Sequence, residues 1–361
     1  MPNKKHTQKA GDNSTQIQTD LVQIGIDEKR VREIIKEENK LALKEMSIIA
    51  EDIAIKRFDN YTNILVPKLV KAELLESFSD PSIQVLFKQS EKTAVCTERE
   101  KDYELLSELL IHRIKKNGNY TTSAAIEKAV DEVNNISDEA LLGLTIVFSI
   151  LTYSPITGNI KIGLSVLDDL YGKIIRNAKL PNNFDWIDNL EIVGAIRRSS
   201  NSKFKRLEDY YFESHKAYSS IGIKKDSENY NKAIEILRNN NIPQKILIEN
   251  ELDNNYVVID HFNLNSFDDL NLVIKQGNVE LSQPFSSSQK QALDKVVNLY
   301  ENNSSDKNKF TELLKSYKNI NILLEWWNDN LTKLHFSITA IGRVIAHTNA
   351  KSIDSTLPDL D

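Results

Sequence analysis

Leu141-Leu142-Gly143-Leu144-Thr145-Ile146-Val147-Phe148-Ser149-Ile150-Leu151 is the richest apolar run in the chain, and the reading of its eleven residues decides the fold. A membrane-spanning helix requires roughly 20 such residues, so the run predicts a helix buried in a protein core, with Ser137 and Asp138 suited to its cap. Upstream, amphipathic stretches over about 81–95, 99–116 and 122–134 read as further short helices. Gly118-Asn119 and Asn134-Asn135 mark turns between them, and Pro81 suits a first helical turn. The stretch shows no repeat of fixed period strong enough for a solenoid. The expected fold class is mainly α, a helical multi-domain array with a small β element in the C-terminal half.

Working outward, residues 1–26 form a polar tag with a β-prone segment around Ile17. Asp27 offers an N-cap to a long amphipathic helix reaching about Val66. Along it Ile34, Leu41, Ile48 and Ile55 fall seven apart, a stripe that suits coiled-coil self-association or packing on the helix's own domain. Downstream, Tyr153-Ser154-Pro155-Ile156-Thr157-Gly158-Asn159 breaks the pattern and predicts a boundary between a unit over 27–152 and a second over 160–361. That second unit carries expected helices near 160–177, 184–195, 203–217 and 227–240, a strand at Tyr256-Val257-Val258-Ile259, then helices near 287–303, 306–316 and 318–331. Thr339 suits the cap of a final helix, and Ile-Thr-x-x-Gly-Arg-x-Ile-Ala has the look of the last helix of winged-helix folds.

Composition narrows the classes. A 361-residue chain with 40% hydrophobic and 27% charged residues is that of a folded globular protein. The N-terminus has positive charge but no apolar stretch behind it, so a cytoplasmic location without membrane association is expected. Cys96 is the single cysteine, which excludes an internal disulfide and a multi-thiolate metal site. Its neighbours Glu98 and Glu100 balance Lys92 and Arg99, so no positive field favours the thiolate. A net charge of −6 argues against wholesale coating of nucleic acid while leaving room for a local basic patch.

Patterns for nucleotide phosphates and for His-Glu-x-x-His zinc chemistry are absent, and the six histidines are scattered; no cofactor, metal site or catalytic residue is assigned. Adjacent carboxylates such as Asp168-Asp169 and Asp268-Asp269 point about 100° apart on a helix and read as solvated surface. Asp260-His261, just after the strand, is the most site-like pair, although a loop pair in water is the favoured alternative. Glu249, Glu251 and Asp260 flank the strand, but no Lys follows at short spacing to complete a nuclease set. Arg343 and His347, one turn apart, suit a polar ligand contact, with dipole neutralisation as His347's alternative. Arg197, Arg198, Lys203, Lys205 and Arg206 cluster with hydroxyls and Phe204, a composition suited to phosphate contacts. The alternative there is a helix–helix loop offset by Glu208 and Asp209.

Several stretches together resemble a bacterial protein family known by locus tags: Gly11-Asp12-Asn13-Ser14-Thr15-Gln16-Ile17-Gln18, Phe78-Ser79-Asp80-Pro81-Ser82-Ile83-Gln84, Leu105-Leu106-Ser107-Glu108-Leu109-Leu110-Ile111-His112-Arg113, and Thr339 to Asn349 with Leu357-Pro358-Asp359-Leu360. The similarity spans nearly the whole chain. The resemblance implies no activity, and it suggests a link with bacterial conflict and phage-defence loci. Family members continue past Asp-Leu with an apolar, Trp-containing end, from which this chain departs at Asp361.

The expected function is a non-catalytic, self-associating scaffold or sensor in bacterial defence or stress, a homo-oligomer that engages a protein partner. The alternatives are a nucleic-acid-binding regulator using the basic segment, and a nuclease-type effector built near 246–260.

Overall fold

The computed structural model describes residues 28–43, 48–115, 120–268, 270–276, 279–301 and 307–360, the side chains of 41–43, 48 and 272–281 excepted. The expectations for the tag with Ile17, for the Asp27 cap and for the Gly118-Asn119 turn lie outside the described residues, as do those for the side chains of Leu41 and Ile48.

The first half is helical: α1 (Glu28–Leu43), α2 (Ile48–Lys71), α3 (Pro81–Val95), α4 (Glu100–Lys115), α5 (Tyr120–Glu132) and α6 (Asp138–Thr152). Local chemistry sets the starts of two of them. Asp80 accepts the Ser82 backbone N–H at 2.8 Å ahead of Pro81, and Ser137 accepts that of Ala140 at 3.1 Å. Each supplies an acceptor to a helix start that would otherwise leave backbone donors unpaired. α2 packs on α3 and α4 through Ala54, Phe58, Tyr61, Leu65 and Leu69, whose spacing of three and four residues follows the helical period. On α1, Val31 and Ile35 are buried, whereas Ile34 and, on α2, Ile55 of the seven-residue stripe are half-buried.

The second half continues with α7 (Ile160–Ile175), α8 (Asp185–Ile192), β1 (Ile196–Ser199), α9 (Leu207–Ser214), α10 (Lys216–Ser219), β2 (Ile223–Lys224) and α11 (Glu228–Asn239). Then come β3 (Leu247–Glu249), β4 (Tyr256–Ile259), β5 (Asn271–Gln276), β6 (Val279–Pro284), α12 (Ser287–Val297), α13 (Lys307–Ser316), α14 (Lys318–Asn330), β7 (His335–Ile338) and α15 (Ala340–Ile353). The fold is mainly α, with its small strands in the C-terminal half. Among the described residues all pairings are antiparallel: β1 with β7, β2–β4–β3, and β5 with β6.

The structure corrects two local expectations. The helix expected over 203–217 begins only at Leu207, and the one expected over 287–303 ends at Val297. Residues 203–206 stay extended because their backbone is tied to neighbours: Phe204 N–H donates to Leu334 O at 2.9 Å, and Lys205 O accepts from the Trp327 indole at 2.9 Å.

α6 is buried around most of its circumference, covered by α7, α8 and α15, and Trp186 of α8 lies over Gly143. α15 inserts against α4, α5 and α6, burying Val344, Ile345, Ala346 and Ala350. Thr339 caps it as its sequence predicts, accepting the Gly342 N–H at 3.2 Å while its hydroxyl donates to Gly194 O at 2.7 Å. Among the described residues no helix is long and apolar enough to cross a membrane.

Candidate functional site: a basic, aromatic cleft beside β1 and β7

β7 enters the fold by pairing with β1 in the register Ile196↔Ile338, Arg197↔Ser337, Arg198↔Phe336 and Ser199↔His335. This pairing brings the basic segment onto the start of α15. A cleft of 720 Å³ opens where residues 203–210, α14, β7 and α15 meet. Phe204, Tyr210, Trp327, His335 and Phe336 line it together with Lys203, Lys205 and Arg343, and Leu360 forms part of its wall.

The aromatic side is a packed cluster. The Phe204 ring lies 4.6 Å from His335, 5.1 Å from Trp327 and 5.1 Å from Phe336, centroid to centroid. Trp327 and Phe336 are buried, whereas Phe204, Tyr210 and His335 are half-buried and keep part of their faces open. Imidazole Nδ1 of His335 is buried without a hydrogen-bond partner among the described residues. The loop beneath is pinned by Asn328, which accepts the Leu207 N–H at 3.0 Å and donates to Glu208 at 2.8 Å. Burial raises the Glu208 carboxyl, but Asn328 and Arg206 outweigh it and hold the group below its ordinary range.

The cations divide into committed and uncommitted groups. Arg198 pairs with Asp188 and with Glu191 on α8, Lys205 with Glu213, and Arg206 with Glu208 at 2.6 Å. Lys203, Arg343 and Arg197 are exposed and make no ion pair among the described residues. Lys203 and Arg343 share the aromatic cleft, whereas Arg197 and Arg198 line a separate cleft of 760 Å³ with Lys128, Gly194 and Thr339. The strand pairing therefore splits the basic cluster between two openings.

Asp260 accepts the Thr157 hydroxyl at 2.8 Å and the Gly158 N–H at 2.9 Å, pinning the loop before α7 to the end of β4. A side chain at Gly158 would meet the His261 backbone nitrogen at 2.4 Å, so only glycine allows this approach. His261 is 2% exposed, with Nε2 2.9 Å from Ser266 O. Both residues thus hold backbone in place. His347 is 5% exposed, its Nε2 lies 2.9 Å from Pro358 O, and it borders a third cleft of 420 Å³ with Glu108, His112, Lys115 and Lys351. Arg343 and His347 share a helix yet open into different clefts.

Four site residues escaped the sequence reading, namely Tyr210, Trp327, His335 and Phe336. One signal for Trp327 was present. Adjacent Trp326 and Trp327 point about 100° apart on a helix, so they meet different neighbours. Trp326 donates to Pro181 O at 2.6 Å, and Trp327 turns to the cleft loop. Among the described residues no group of three His, Cys, Asp or Glu side chains is placed to hold a metal ion.

A family model described as “:-like” matches residues 25–360. No curated protein and no solved structure matches the chain.

Proposed function

The chain belongs to the “:-like” family, and on that premise we propose that it is a non-catalytic binding protein that holds a segment of single-stranded nucleic acid in the cleft beside β1 and β7. The observation that carries this reading is the placement of Lys203 and Arg343, exposed and without ion pairs among the described residues, around the half-open rings of Phe204, Tyr210 and His335. A single strand presents the complementary pair of features: phosphates that attract cations, and bases whose unstacked faces lie on aromatic rings. In a duplex those faces are covered by neighbouring bases, so the rings favour the unpaired strand. Two cations in one cleft without ion pairs among the described residues, and a net charge of −6, suit modest, salt-sensitive affinity. The cleft lining contains no Asp or Glu among the described residues, which favours holding over cutting.

The test is fluorescence anisotropy of a labelled oligothymidylate at low salt, comparing wild type with the Lys203→Ala/Arg343→Ala variant. A loss of affinity of about tenfold is expected, in line with roughly 1 kcal/mol or less for each exposed charge contact. Equal binding by the two proteins rejects the reading.

A second reading, self-association, is favoured by Ile49 and Ile53 on α2, which are 78% and 47% exposed. They stand one helical turn apart and form an apolar strip on the face of α2 away from α3 and α4. The setting we infer for the protein is the bacterial cytoplasm, in phage defence or stress response. That setting rests on the sequence resemblance alone.

A further inference from the structure

We infer that a bound strand continues out of the aromatic cleft across the β1–β7 ribbon, and that the second cleft, with Arg197 and Lys128, holds the phosphates of that continuation. This inference rests on the nucleic-acid reading above and adds a second subsite to it. The register of the ribbon carries it. Arg197 stands opposite Ser337, and Ser199 opposite His335. Residues paired across an antiparallel ribbon share a face with those two positions further along. Arg197, Ser337, Ser199 and His335 therefore lie on one face, where Arg197 and Ser337 are exposed and Ser199 and His335 are half-buried. On the opposite face Ile196 and Phe336 are buried. Diagonal neighbours on such a face stand about 7–8 Å apart, which puts Arg197 one diagonal step from the His335 ring.

The two clefts flank this ribbon. β7 supplies His335, Phe336, Ser337 and Ile338 to the aromatic cleft, and β1 supplies Ile196, Arg197 and Arg198 to the other. Their chemistry differs. The described lining of the second cleft contains no aromatic ring, and its acid, Glu191, is paired with Arg198 at 3.2 Å. Arg197 makes no ion pair among the described residues. Lys128, more than half exposed, pairs with Glu132 along α5 at 3.4 Å, a surface contact that a phosphate replaces at little cost. Charge without a stacking surface suits the sugar–phosphate backbone rather than the bases. Between the clefts, the exposed Ser337 hydroxyl offers a donor to a phosphate oxygen on the way.

A subsite beyond the rings acts only on a strand long enough to reach it. The experiment compares wild type with the Lys128→Ala/Arg197→Ala variant in fluorescence anisotropy at low salt, using two labelled oligothymidylates. One is a trinucleotide, whose pair of internucleotide phosphates Lys203 and Arg343 already neutralise; the other has about twelve nucleotides. The continued path predicts that the variant loses about tenfold in affinity for the long chain, the sum of two exposed charge contacts, and keeps wild-type affinity for the trinucleotide. That unchanged short-chain binding also shows the aromatic cleft to be intact in the variant. Equal binding of the long chain by the two proteins, or the same loss at both lengths, overturns the second subsite, while the Lys203→Ala/Arg343→Ala comparison still decides the aromatic cleft. A wild-type protein that binds neither oligonucleotide overturns both.

Discussion

The carboxylate of Asp168, on α7, accepts the backbone N–H of Asn319 at 2.7 Å, and with it that of Ile320 at 2.9 Å, so one helix caps the start of another. The Asn319 side chain returns the contact, donating to both the Asp168 backbone carbonyl and its carboxylate at 3.0 Å. Read from sequence as solvated surface beside Asp169, Asp168 instead aligns α14, which carries Trp327 to the cleft. Asp168→Ala is expected to cost about 1–2 kcal/mol of stability, the usual value of a cap. Asp169→Ala, which removes an exposed pair with Lys173, is expected to cost about 0.5 kcal/mol or less. Urea titration of the two variants checks the contrast.

Ligand binding carries its own signature in salt. Each phosphate neutralised on a single strand contributes about 0.7 to the slope of log affinity against log salt. Lys203→Ala and Arg343→Ala are each expected to reduce the slope by roughly that amount. Arg198→Ala, whose guanidinium is committed to Asp188 and Glu191, leaves it unchanged. A salt series of anisotropy titrations checks this, and a slope insensitive to all three removes the cleft from consideration.

Stability has opposing pH dependences at two buried groups. Burial pushes the Glu91 carboxyl up to about 8, with Glu38 adding to the shift and Lys88 opposing it. Between pH 4.5 and 8 the native state keeps a proton that the unfolded chain releases, so stability falls as pH rises through that window. Burial pulls His215 down to about 4 from 6.5, against a backbone contact with Tyr211 that raises it. Between pH 6.5 and 4 the unfolded chain takes up a proton that the native state refuses, so stability falls on acidification there. The two slopes offset each other between 4.5 and 6.5, and above 6.5 only that of Glu91 remains. Glu91→Gln is expected to flatten the decline above pH 6.5, where the native protein loses up to about 1.4 kcal/mol per pH unit. Thermal denaturation from pH 5 to 8.5 reads it out; an unchanged decline refutes the assignment.

The apolar strip on α2 makes a separate prediction. Ile49→Lys/Ile53→Lys is expected to convert an oligomer to a monomer without changing helical content, as measured by light scattering and circular dichroism. An oligomer that survives the double substitution rejects self-association through this strip.

Gly342 lies against the backbone just before β1, where an added Cβ would stand 2.1 Å from Ala195 O. The Ala195 backbone on one side and the Ile338 side chain on the other leave little to yield, so Gly342→Ala is expected to cost about 3 kcal/mol or more and to displace Arg343 from the cleft. Its denaturation midpoint and oligothymidylate affinity are expected to fall together.

Helices announced by caps and period emerged with close boundaries: Pro81–Val95 and Asp138–Thr152 match their expected ranges, and Thr339 caps α15. The β4 strand was equally plain, being β-branched and aromatic. β1 was not, because Ile196-Arg197-Arg198-Ser199 has neither alternation nor β-rich composition and becomes a strand through its pairing with β7. The cleft was half-visible for the same reason. Lys203, Lys205 and Arg343 are legible as charges and Phe204 as the ring between two of them, but the other rings arrive from positions 210, 327, 335 and 336, joined only by tertiary packing.

The insertion of α15 among α4, α5 and α6 also governs the order in which the protein comes into being. α6 ends at Thr152, and the helix that completes its cover begins at Ala340. On the ribosome, the first half of the chain must therefore wait with an apolar groove uncovered until the second half has been made. The same late segment supplies Arg343 and follows β7 directly, so closure of the core and assembly of the cleft are one event. A nascent or truncated chain lacking α15 cannot present a finished cleft, so under the proposed function competence to bind would report that folding is complete.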